Sequence, residues 1–82
     1  MPTVLRIRGL RIVIYPNDHL PPHVHVIGAE GEARISIGTA SHRPALLVNW
    51  GLGRGAIAMA LTAIDENRQE LQTRWDEIHG DR

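Results

Sequence analysis

Eighty-two residues give room for one hydrophobic core, so a single domain over residues 1–82 of modest stability is expected. Cysteine is absent, which excludes disulfide frameworks and thiolate metal sites, and no apolar run approaches the roughly 18 residues that a membrane span needs. Nine arginines and no lysine balance nine carboxylates to zero net charge, yet six bases face three acids over residues 1–55 and three face six over 56–82.

The first half has the period of strands. Arginine and apolar residues alternate in Val4-Leu5-Arg6-Ile7-Arg8, with Leu5 and Ile7 facing inward. The start passes at once into this pattern without the features of a signal peptide, so a cytoplasmic protein is expected. Gly9 permits a tight turn or bulge before a second, more buried strand at Leu10–Tyr15. Pro16-Asn17-Asp18 closes that strand, because these residues favour turns and local hydrogen bonds to the backbone.

Leu20-Pro21-Pro22 is held extended by proline ring geometry and leads into a third strand at His23–Ile27. Gly28-Ala29-Glu30-Gly31 then forms a hairpin loop, and Glu32–Ile37 returns as the fourth strand. With Gly28 opposite Gly31, the register sets His25 across from Arg34, His23 from Ser36 and Ile27 from Glu32. Val26 then meets Ala33 and Val24 meets Ile35 on the other face. One face is apolar and one polar, as a one-sided antiparallel sheet requires. Gly38–Pro44 is a loop, and Ala45–Val48 is a candidate fifth strand.

From Ala56 the period changes. Ile57, Leu61, Ile64, Leu71, Trp75 and Ile78 fall on one stripe at three- and four-residue steps, interrupted by Arg68. The stripe predicts one helix over about 55–79, roughly 37 Å long at 1.5 Å per residue. A sheet this small does not cover that length. The end carrying Leu71, Trp75 and Ile78 is therefore expected to lie against a partner. The predicted class is α+β: a four- to five-stranded, mostly antiparallel sheet over about 3–48, followed by one long C-terminal helix on its apolar face.

Three of the five histidines, His19, His23 and His25, fall within seven residues. Side chains alternate along a strand, so His23 and His25 share one face, directed away from the core and toward water. Two imidazoles so spaced can reach one divalent transition metal at about 2.0–2.1 Å, with His19 as a third ligand across the proline turn. A water in the fourth position would then support hydrolysis. No aspartate or glutamate stands at an obvious ligand spacing, and Glu32 belongs to the far end of the hairpin. The plainer reading is that the imidazoles cap loops and hydrogen-bond along the polar face. A histidine-triad nucleotide hydrolase is excluded, because Ile27 stands where a third alternating histidine is required.

Gly51-Leu52-Gly53-Arg54-Gly55 precedes the helix but lacks the Gly-Lys-Ser/Thr of a phosphate loop, so it is read as a helix start with Gly53 in the capping position. Arg6, Arg8 and Arg34, with His23 and His25, are candidates for an RNA-binding sheet face. Stacking aromatics are few, with Tyr15 and Trp50 the only candidates. His42 and His79 have no visible partner in the sequence.

Met1-Pro2-Thr3-Val4-Leu5-Arg6-Ile7, Gly9-Leu10-Arg11, Tyr15, Asn17-Asp18-His19 and Pro21-Pro22-His23-Val24-His25-Val26 together resemble the family called domain of unknown function 4160. Gly31-Glu32-Ala33, Glu66-Asn67-Arg68-Gln69-Glu70-Leu71 and Trp75 extend the resemblance over nearly the whole chain. The family comprises small bacterial and archaeal proteins, typically with serine where this chain has Gly53 and often with a third proline where it has Leu20. The resemblance implies a neighbouring gene for a protein of the domain of unknown function 2442 family, the two forming a toxin–antitoxin-like pair. The leading expectation is thus a component of such a pair, acting through contact with a small protein encoded nearby. The alternatives are a metal-dependent nuclease or phosphoesterase using His19, His23 and His25, and an RNA-binding module without catalysis. Self-association is left open.

Overall fold

The structure, a computed structural model, describes residues 3–80. Five strands come first: β1 (Thr3–Ile7), β2 (Leu10–Val13), β3 (His23–Ile27), β4 (Glu32–Ser36) and β5 (Leu46–Trp50). Two helices follow, α1 (Arg54–Glu66) and α2 (Arg68–His79). The strands form one sheet in chain order, each antiparallel to the next.

Local chemistry sets each connection. Arg8 and Gly9 both have positive φ, at 41° and 83°, between the closing pair Ile7 and Leu10. Two consecutive positive values suit a two-residue turn whose twist matches that of the strands. The β3–β4 hairpin has the register that alternation predicts, from His23 opposite Ser36 to Ile27 opposite Glu32, and the Gly28 N–H donates to the Gly31 carbonyl at 2.9 Å. The fifth strand forms slightly later than expected. A register shift between Arg34 and Ile35 falls near its start, between the partners Val48 and Leu46, and Ser36 occupies both polar groups of Ala45.

One face of the sheet carries Ile12, Ile14, Val24, Val26, Ala33 and Ile35, all fully buried against Ile57, Ala60 and Ile64 of α1. Gly53 adopts the extended backbone of a helix cap but offers no side-chain hydrogen bond. Asn49 steadies the approach to the helix: its side chain accepts from the Leu52 N–H and donates to the Leu52 carbonyl.

The single helix expected over 55–79 is two. Asn67 leaves helical geometry at φ −114° and ψ 20°, and its side-chain amide donates to the Ala63 carbonyl at 2.8 Å. Asparagine in this role satisfies the backbone by a local bond that competes with helix continuation. The apolar stripe keeps its phase across the break, so periodicity alone does not reveal it. The face expected to meet a partner is instead part of the chain's own core: Leu71 is 1% exposed, Trp75 3%, and Ile78 packs against them.

Candidate metal centre

The turn after β2 aims a carboxylate. Asp18 Oδ2 accepts the Tyr15 N–H at 3.0 Å while the Asp18 N–H donates to the Tyr15 carbonyl at 3.1 Å, which locks the turn from both ends. The other oxygen, Oδ1, then meets His25 Nε2 at 3.0 Å and lies 3.7 Å from His23 Nε2. Burial pushes the Asp18 carboxyl up, but the His25 hydrogen bond, the Tyr15 N–H and the charges of His25 and His23 outweigh it. The net effect holds the group below its ordinary value.

Each imidazole is also held from behind. His23 Nδ1–H donates to the Pro21 carbonyl at 2.9 Å, and because a carbonyl only accepts, the proton of a neutral ring is on Nδ1 and the lone pair on Nε2. His25 Nδ1 faces Glu32 Oε2 at 3.1 Å. With carboxylates at both its nitrogens, His25 as an imidazolium donates to both and as a neutral ring to one.

His23 and His25 share the non-core face, as alternation predicts, yet they are largely shielded from water. His23 is 8% exposed and His25 6%. Tyr15 stands edge-on to His25 with ring centroids 4.7 Å apart, and Trp75 of α2 tilts against His23 at 5.5 Å. Solvent reaches the centre through a cleft of about 380 Å³ lined by Asp18, His19, Leu20, His23, Arg34 and Leu47, among others.

Asp18, His23 and His25 each bring one ligand atom to within 4.8 Å of the others. Small adjustments would give the separations that three ligands of one ion require, each at about 2.0–2.2 Å from it. The sequence reading missed Asp18, since a Pro-Asn-Asp turn looks purely structural until the chain folds back over β3. Glu32, expected at the far end of the hairpin, is diagonally beside His25 on the same face. His19, expected as the third ligand, is exposed on the cleft wall and outside this group of donors.

The arginines are dispersed. Arg34 is in the cleft, exposed, with its guanidinium 5.3 Å from the centre of the Trp50 ring. Arg6 is on β1, separated from Arg34 on β4 by two strands, and Arg8 is in the first turn. His79 has a structural role: it donates Nδ1–H to the Trp75 carbonyl and stacks on that ring at 3.8 Å. His42 is an exposed loop residue.

A family model described as Domain of unknown function (DUF4160) matches residues 9–76. The chain belongs to the DUF4160 family. The matched region contains every member of the cluster: Asp18, His23, His25 and Glu32. No curated protein and no solved structure matches the chain significantly. Among the described residues, no helix is long and apolar enough to cross a membrane.

Proposed function

We propose that Asp18, His23 and His25 bind a divalent transition-metal ion and that the protein uses it to hydrolyse phosphoester bonds. One observation carries this reading. Both imidazoles have Nδ1 engaged by an acceptor, Pro21 or Glu32, while both Nε2 atoms turn toward one carboxylate oxygen. Metal sites use such outer acceptors to fix the tautomer and orientation of histidine ligands. Three protein ligands leave positions for water and substrate. The bound water would give up a proton, its oxygen would bond to phosphorus, and the leaving oxygen would take up a proton as its P–O bond breaks. Arg34, in the same cleft, supplies a fixed cation for the anionic substrate.

The test is calorimetric titration of chelator-treated protein with zinc or manganese, followed by assay on a labelled single-stranded RNA. One ion per chain is expected, with cleavage abolished by chelator and by His23→Ala/His25→Ala. Wild-type protein that binds no ion, or cleavage indifferent to both treatments, overturns the reading.

A second reading, membership of a toxin–antitoxin-like pair, is supported by the cleft rim. Leu20 and Leu47 line the cleft and are exposed, and β5, whose Leu46 is also exposed, is an edge strand with no charged residue. Uncharged apolar edges are what a pairing strand or partner covers. Co-purification with the neighbouring gene product tests it, and absence of a complex at micromolar concentration counts against it.

A further inference from the structure

We propose that Arg34 and Trp50 form a subsite for single-stranded nucleic acid, with a base stacked at Trp50 and a phosphate on Arg34. The choice of substrate rests on the phosphoester reading of the neighbouring centre. The register puts His25, Arg34 and Val48 in one row, and Glu32 with Trp50 in the next, so Trp50 shares the face that carries the histidines. Strands about 4.8 Å apart place β5 roughly 10 Å from β3, about the scale on which a nucleotide extends from its phosphodiester.

Two features distinguish the pair from ordinary surface residues. Arg34 lines the cleft and, among the described residues, is in no ion pair with a carboxylate. Trp50 is half exposed on an edge strand, where a large indole gains little from burial, and it lies against that free guanidinium. A cation beside an accessible aromatic ring is the minimal platform for unpaired nucleotides, since every base has a face to stack and every linkage has a charge. In a duplex the base faces are already occupied, which favours single strands.

The experiment is fluorescence anisotropy with labelled RNA and DNA single strands of about ten nucleotides, a length typical of such sites. Chelator is present throughout, so binding is read without metal. Trp50→Ala is expected to weaken binding about fivefold or more, with Trp50→Phe retaining most of it. Arg34→Gln should weaken binding and reduce its salt dependence by about one phosphate contact. Arg54→Gln, which removes an exposed cation at the start of α1 outside the cleft lining, should leave affinity within about twofold, because the platform on β4 and β5 is intact.

Wild-type protein that binds no single strand, or Trp50→Ala that binds as wild type, overturns the subsite. Loss of a protein complex or of self-association in Trp50→Ala, with oligonucleotide binding unchanged, overturns it in favour of a protein interface. Metal binding that fails while these effects persist overturns the metal centre alone; the reverse pattern overturns only the subsite.

Discussion

Asp18 Oδ2 accepts the Tyr15 N–H, and Oδ1 meets His25 Nε2 at 3.0 Å with His23 Nε2 3.7 Å away. Replacing Asp18 by alanine strands those groups in a mostly buried pocket and should cost about 1–3 kcal/mol in denaturant unfolding. The pH dependence follows from the direction of its shift. A carboxyl held below its ordinary 3.8 contributes stability that is present above that value and lost as pH falls through the lower folded value. Metal-free Asp18→Ala should therefore lose less stability than wild type on acidification below about pH 4. Glu32 acts one step further out. Glu32→Gln keeps the shape but removes the charge behind His25, and should weaken metal affinity about 10- to 100-fold in the same titration. The histidine pair was legible from residue alternation. Asp18 was not, because its role depends on a loop folding back across a strand, and no local pattern encodes that.

At the level of elements, the β3–β4 hairpin was readable pair by pair. Alternation there is strict, and only one register keeps both faces consistent. Gly31 adds a constraint that the sequence did not disclose. A Cβ there would collide with the Trp50 carbonyl and approach the Gly51 backbone to 2.9 Å. These are backbone atoms of the next connection, so they cannot rotate away. Gly31→Ala should destabilise by about 1–3 kcal/mol in thermal unfolding. A midpoint within a degree of wild type, a shift well under about 0.5 kcal/mol, would show that β4 and β5 are less closely joined than described. The helical half was misread for the opposite reason. Its stripe continues in phase through Asn67, whereas the break is made by one side-chain hydrogen bond and a change of backbone angle.

Across the whole molecule, α2 links the core to the histidine face. Trp75 is packed with Leu71 in the interior, yet its ring also lies 5.5 Å from that of His23. Trp75→Ala should cost about 3–5 kcal/mol, a large share of what an 82-residue fold has in total. Chemical unfolding of that variant should begin at much lower denaturant than wild type, whereas Trp75→Phe should lie between them. The α+β class and a mostly antiparallel sheet of four to five strands followed from composition and period, with the fifth strand only a candidate. The closing of the helical end over the expected partner surface did not, since it depends on how much of the sheet end was left uncovered.

The indole beside His23 also makes the protein its own optical gauge. Trp75 is shielded and Trp50 is half exposed, so their emission separates toward the blue and the red. An ion arriving on the neighbouring imidazole should dim the blue component first, without any attached dye. Titrating zinc while watching that band, with His23→Ala as the silent control, would follow occupancy of the centre directly.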